Sequence, residues 1–285
     1  MMAATSRPVA SATAVHPLLQ KLLSGPVPAV MGVLNVTPDS FSDGGEFLAP
    51  EHALAHARRL VAEGADIIDV GAESTRPYGN ALPVSTDEEM ARLRPILADI
   101  VKLGVPVSID SMKSDVAAFA LDTGAVIAND VWGLQRDTNM ASLAARRGVP
   151  VIIMHNRDRA DPAIDIMKDI ATFFARSLDI AAKAGIAEGH IVLDPGIGFG
   201  KTPEQSMIAL ARLDELKRFR LPLLVGASRK RFIASVSPSE PRERLGGSIA
   251  AHLIAARGGA RIIRTHDVAD TVQALRVAAA IEDQG

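Results

Sequence analysis

Polar residues able to do chemistry recur in this sequence at one kind of place, directly after short apolar, β-branched runs. In chain order they are Asn35, Asp69 with Glu73, Asp110, Asn129 with Asp130, His155 with Asn156, Asp194, then Ser228, Arg229 and Lys230, and finally Arg264 with His266. A buried carboxylate can accept paired hydrogen bonds from adjacent ring and exocyclic N–H groups. Cations can neutralise the charge that grows on a departing anion. Asp, Asn and Ser also cap helices, so each such residue by itself has an ordinary structural use. A ring of carboxylates, amides and cations around one opening fits a polar ligand site better than a series of separate caps. Cysteine is absent, which excludes disulfides, thiolate metal sites and thiol catalysis. No convincing Ser-His-Asp order supplies a nucleophile.

Such a ring needs a scaffold that gathers strand ends. Eight runs read as strands: Ala29–Val36, Asp66–Gly71, Pro106–Asp110, Ala125–Asp130, Pro150–His155, Ile191–Asp194, Pro222–Gly226 and Arg261–Thr265. Helical periodicity occupies His52–Ala62, Asp87–Lys102, Ser114–Leu121, Ile164–Lys183, Pro203–Leu216, Ile249–Ala256 and Val268–Ile281. This alternation predicts an α/β fold, a single (β/α)8 TIM barrel, whose site lies at the C-terminal ends of the strands. The glycines of Gly196–Gly200 have the wrong spacing for a dinucleotide fingerprint. One barrel domain is expected over residues 20–285. Residues 1–19 read as a flexible N-terminal tail without the apolar core of a secretory signal.

Composition narrows the partners. The 31 basic and 33 acidic side chains leave a net charge of −2, whereas a nucleic-acid surface needs a cationic excess. The 48% of apolar residues can fill a large core, but the strongest runs are too short and too interrupted to span a membrane. The expected chain is soluble and cytoplasmic, with neither nucleic acid nor membrane as partner.

Seven segments carry a specific resemblance. Met31–Gly45 (MGVLNVTPDSFSDGG) resembles the first signature of the dihydropteroate synthases. It is joined by Gly71–Pro77 (GAESTRP), Ser108–Asp110 (SID), Ile127–Val131 (IANDV), Leu193–Lys201 (LDPGIGFGK), Gly226–Lys230 (GASRK) and Arg264–His266 (RTH), in the family's strand order. The similarity spans about residues 29–283. It departs from the family pattern at Ala72, where Gly is common, in the slightly long stretch 78–83, and at the variable positions Trp132 and Asn156.

The resemblance implies a transferase of folate biosynthesis that condenses 6-hydroxymethyl-7,8-dihydropterin pyrophosphate with p-aminobenzoate. The pterin would meet Asp110, Asn129, Met154, Asp194, Phe199 and Lys230, with Ile127 as a further apolar contact. Asp194 suits the aminopyrimidinone edge because a carboxylate can accept from its ring N–H and amine together. Asn35, Thr75, Arg76, Arg264 and His266 would hold pyrophosphate, and Asn35 would contact Mg²⁺, an ion that keeps several waters and binds through phosphate oxygens. Phe41, Thr75, Pro77, Phe199 and Ser228 would line the p-aminobenzoate site. Lys230, Arg76 and Asp39 are the candidate catalytic residues, the last two on loops that close over substrate. Arg229 and Arg231 read as a solvated basic face.

Loss of pyrophosphate can leave a cation delocalised into the dihydropterin, so the amine attacks without an enzyme nucleophile. A corrinoid-linked methyltransferase barrel would share Asp110, Asn129 and Asp194, yet has no use for TPDSF, STRP or SRK. A non-catalytic relative would be expected to lose Lys230, Arg264 or a loop, and all are present. The family also implies a homodimer through the late barrel helices.

Overall fold

The computed structural model describes residues 14–36, 49–73 and 84–284. Its strands are β1 (Ala29–Asn35), β2 (Ile67–Gly71), β3 (Val107–Asp110), β4 (Ile127–Asp130), β5 (Val151–Met154), β6 (Ile191–Asp194), β7 (Leu223–Val225) and β8 (Ala260–Thr265). All neighbours are parallel, and β8 pairs with β1 to close the barrel in sequence order. The helices are α1 (Pro17–Leu23), α2 (Ala49–Ala62), α3 (Thr86–Leu93), α4 (Leu97–Val101), α5 (Ser114–Thr123) and α6 (Met140–Arg147). They continue with α7 (Ile166–Ala184), α8 (Pro203–Ala211), α9 (Arg231–Val236), α10 (Leu245–Gly258) and α11 (Val268–Glu282).

Side chains alternate in and out along each strand, and this period decides what the barrel holds. Outward residues such as Ile68, Val70, Ile109, Ile153, Leu193 and Ile263 join the large core beneath the helices. Inward residues Met31, Ile67, Ile127, Ile152, Val192, Leu224 and Ile262 form a separate apolar layer inside the barrel. Two residues further along, the same inward face carries Asp69, Asn129, Met154, Asp194, Gly226 and Arg264. The polar mouth therefore sits one layer above a dry floor. Ile127 belongs to that floor, where it packs with Met31, Ile152 and Val192.

Below the floor, α1 plugs the opposite end with Leu19, which is 1% exposed and joins the inner cluster. Pro17 occupies the first turn and the His16 ring accepts from Leu18 N at 3.2 Å. Arg261 Nη2 binds the carbonyls of Leu23 and Gly25 at 2.6 and 2.8 Å, fastening the other end of the plug to β8. The expected tail boundary at residue 19 thus cuts through a packed helix. The ordered barrel begins earlier, and residues 1–13 lie outside the described residues.

Other boundaries move for local reasons. The expected helix Asp87–Lys102 is split into α3 and α4 around Pro95, which has no N–H to donate and clashes with the preceding turn. The helix expected to reach Leu216 leaves α geometry after Ala211 and continues as a 3₁₀ segment over Leu213–Phe219. Helix α10 starts before the expected Ile249, and Gly247 in its first turn packs closely: a Cβ there would lie 2.4 Å from Ile233 of α9. The short α1, α6 and α9 were not expected, since six to eight residues give too little periodicity to read. Among the described residues, no helix is long and apolar enough to cross a membrane.

Candidate active site

Asp110, Asn129, Asp194, Lys230 and Arg264 converge on one cavity at the C-terminal mouth, with Met154 and Phe199 among its walls. Val131, Met154 and Phe199 make a small apolar cluster there, flanked by Met112 and Trp132. One side of the cavity is thus apolar and the other ionic. Asn35 ends β1 on the same rim, half-buried and in register with Gly71, outside the lining of that cavity. Asp39, Phe41, Thr75, Arg76 and Pro77 lie outside the described residues.

The ionic side is organised by Arg264. Its Nε donates to Asp69 Oδ2 and its Nη2 to Asp110 Oδ2, both at 2.6 Å. Asn129 Nδ2 adds a 3.1 Å bond to Asp69 Oδ2. The second oxygens, Asp69 Oδ1 and Asp110 Oδ1, are buried and have no hydrogen-bond partner among the described residues. Such oxygens are costly unless a ligand or water satisfies them. Burial, and secondarily the nearness of Asp69, pushes the Asp110 carboxyl up to about 7 against the pull of Arg264. Burial likewise opposes charge on Arg264, but Asp69 and Asp110 outweigh it and hold the guanidinium firmly protonated. Asp69 had no assigned ligand role in the sequence; its signal was its place two residues after Ile67 on the inward face.

Asp194 is 4% exposed. Its Oδ1 accepts from Gly196 N at 2.7 Å, and burial raises its pKa to about 6 although Gly196, Lys230, Arg264 and Lys201 favour the charged form. Lys230 Nζ stands 4.0 Å from the centre of the Phe199 ring, a direct cation–π contact in the cavity wall. Ser228 Oγ accepts from His266 N at 3.2 Å and lies 3.0 Å from His266 Nδ1, joining the loops after β7 and β8.

The middle residue of the Ser-Arg-Lys run departs from expectation. Arg229 is only partly exposed and forms a two-pronged pair with Asp267 at 3.1 and 2.5 Å. Its backbone is left-handed, with φ 58°, a conformation that costs a non-glycine residue energy. Ser248 Oγ accepts from its N–H at 2.9 Å and Arg244 Nη1 donates to its carbonyl at 3.0 Å, so both sides of the turn are held. That turn carries Lys230 into the cavity lining, while Ser228 is held against His266.

Several other members of the sequence ring have structural uses. Asp130 receives the N–H groups of Trp132 and Leu134 at 2.8 and 2.7 Å. Asn156 binds Val131 O and Arg157 N. Glu73 pairs with Lys113 at 2.7 Å and receives Val84 N at 3.1 Å. His155 is fully buried against Asp169 and Lys201, away from the cavity. For these four, capping or internal pairing accounts for the side chain.

Comparison with known proteins settles the lineage. Residues 31–266 match the family described as pterin binding enzyme. The dihydropteroate synthase of Bacillus subtilis is 43% identical over 257 residues, 90% of this chain and 89% of that protein. The chain belongs to the dihydropteroate synthase family. The family's Escherichia coli K12 enzyme is also 43% identical over 257 residues, covering 88% of this chain and 90% of that one. A Clostridium difficile dihydropteroate synthase, solved in the presence of pteroic acid, has 47% identity and a TM-score of 0.86, with 90% and 97% of the two chains covered. The Xanthomonas albilineans enzyme, solved with 4-aminobenzoic acid, has 41% identity and a TM-score of 0.86 over 90% and 93% of the chains. Membership in this family agrees with a barrel mouth that pairs an apolar wall with buried carboxylates.

Proposed function

We propose that the mouth of this barrel synthesises dihydropteroate from 6-hydroxymethyl-7,8-dihydropterin pyrophosphate and p-aminobenzoate. The observation that carries the reading is the cavity in which Asp110, Asn129, Asp194, Lys230 and Arg264 meet an apolar wall, with carboxylate oxygens left unsatisfied. Asp194 accepts from the ring N–H and exocyclic amine of the pterin. Asp110, poised near neutrality, can donate as an acid or accept as a carboxylate, and Asn129 offers both groups of its amide. Met154 and Phe199 offer the ring apolar contact, and Lys230, which rests over the Phe199 ring, lies beside it.

The C–O bond to pyrophosphate breaks with its electron pair leaving on oxygen. The lone pair of the p-aminobenzoate nitrogen then forms the new C–N bond, and the nitrogen loses a proton. Arg264 and His266 offset the growing negative charge, and Thr75 and Arg76 are assigned to the same pyrophosphate, while Asp39 is assigned a catalytic role with Lys230 and Arg76. Phe41, Pro77, Thr75, Phe199 and Ser228 receive p-aminobenzoate. Exclusion of water protects the cationic pterin from hydrolysis.

Mg²⁺ fits this donor set in one way. Among the described residues, no group of three His, Cys, Asp or Glu is placed to hold a metal ion, so the Asn35 amide would share the ion with phosphate oxygens and water. Bound there, it would supply charge neutralisation for the leaving group.

We also propose a cytoplasmic homodimer. Ile254, Val277 and Ile281 are exposed on α10 and α11, which pack side by side, and Val236 is exposed on neighbouring α9. Sedimentation of an Ile254→Glu, Val277→Glu variant as a monomer would support that interface; an unchanged species would reject it. For the reaction, the test is pyrophosphate release with both substrates present. Release that ignores p-aminobenzoate, or its absence altogether, would overturn the proposed activity.

A further inference from the structure

Behind the pterin wall lies a buried cation that no substrate can reach. Lys201 is 1% exposed, and its Nζ has His155 Nδ1 at 2.6 Å, Gly196 O at 2.9 Å and Phe199 O at 3.1 Å. Three acceptors thus surround the ammonium, matching its three donor protons. His155 accepts at Nδ1 and donates from Nε2 to Asp169 Oδ2 at 3.0 Å, while Arg157 binds the same carboxylate at 2.9 Å. The chain from α7 to the cavity wall is therefore continuous: Asp169, His155, Lys201, then the turn 196–199.

That turn carries two parts of the candidate site. The Gly196 N–H holds Asp194 Oδ1, and Phe199 faces the cavity. Gly196, at φ 65°, lies so close to the end of β5 that a Cβ there would stand 1.9 Å from His155 O. The turn has no room to relax toward β5, and Lys201 ties it from beneath.

We propose that Lys201 is a positioning residue for the pterin subsite: its ammonium clamps the 196–199 turn to His155 and places a positive charge behind Asp194. The inference rests on the pterin-binding reading of Asp194. Lys201 faces Asp194, Asp169, His155, Arg157 and Lys230. Asp194 in turn faces Lys230, Arg264 and Lys201, all of which favour its carboxylate. Burial draws Lys201 down to about 7, while the surrounding acceptors favour its protonated form.

The experiment is calorimetric titration of the full chain with 6-hydroxymethylpterin, which has no phosphate, across the acid range. Lys201→Met is expected to weaken binding about tenfold at neutral pH through displacement of the turn. It should also move the acidic loss of affinity upward by roughly one pH unit, because a nearby counter-charge to Asp194 is gone. Lys201→Gln serves the same test if the Met variant does not fold, since its amide retains hydrogen bonds but not charge. A merely structural lysine would weaken binding equally at every pH. Asp194→Asn runs alongside. Unchanged binding in Asp194→Asn overturns the pterin reading and the inference with it. Weakened binding in Asp194→Asn, with the acidic limb unmoved in the Lys201 variants, overturns the inference alone.

Discussion

Arg264 reaches across the barrel mouth to Asp110, Nη2 to Oδ2 at 2.6 Å, while its Nε holds Asp69 at the same distance. The cation that the motif assigns to the leaving phosphate is thus also the counter-charge of two buried carboxylates. Arg264→Leu removes it and leaves two acids, Asp69 and Asp110, without that counter-charge in the barrel mouth. Stability should fall by about 3–5 kcal/mol, the usual cost of stranding buried charge. Adding Asp110→Asn should return part of it, and denaturant midpoints of the two variants measure the difference. A single variant as stable as the parent would mean that the guanidinium is not the organising charge.

Asp194→Asn replaces one acceptor of the proposed pterin pair by a donor that opposes an N–H group. Pterin affinity should drop by about 1–3 kcal/mol. The ligand for this measurement is again the phosphate-free pterin, so that Arg264 and His266 do not enter the result. An unchanged dissociation constant would remove Asp194 from the pterin site.

The Arg229–Asp267 pair is predicted to couple the loops after β7 and β8. A double-mutant cycle with Arg229→Ala and Asp267→Asn should give an interaction energy of about 1 kcal/mol or more, since the contact is two-pronged and partly buried. The single variants should raise the KM for pterin pyrophosphate by displacing Lys230 and His266. Strict additivity of the two stability changes would show that the pair does not link the loops.

His252 gives a pH prediction with a definite sign. It is 1% exposed in α10, its Nε2 has no hydrogen-bond partner among the described residues, and burial lowers its pKa to about 4 from 6.5. Between those values the unfolded chain binds the proton and the folded chain does not, so stability declines as pH falls from about 6.5 toward 4. His252→Leu should abolish that contribution. The stability gap between variant and parent is expected to shift in the variant's favour by on the order of 1–2 kcal/mol between pH 7.5 and 5. Thermal melts at the two pH values would reveal it, and a gap independent of pH would contradict the burial argument.

Chelation separates the proposed metal role from pterin recognition. With the ion held by Asn35 and phosphate oxygens, a strong chelator should abolish turnover yet leave phosphate-free pterin binding nearly intact. Full turnover in chelator would reject Mg²⁺ at this position.

The amino-acid sequence by itself determined the strand runs, the alternation that closes them into a barrel, and the polar residues at their ends. These are local or period-two properties, written in β-branched runs and in the residue two places beyond each floor position, as in Ile67 to Asp69 and Val192 to Asp194. Strong motif spacing also singled out Lys230 and Arg264. Tertiary structure alone decided which polar residues face the cavity. His155, Asn156, Asp130 and Glu73 sit at strand ends like the others, but each finds its partner outside the mouth: Asp169 and Lys201, Val131, a tight turn, and Lys113. Arg229 looked like a surface charge because its partner Asp267 is 38 residues away in sequence. Lys201 gave no sign of its place because a buried ammonium is defined by acceptors from another strand end and a folded turn. Such pairings are set by closure of the barrel, which brings distant strand ends together and takes their charges out of water.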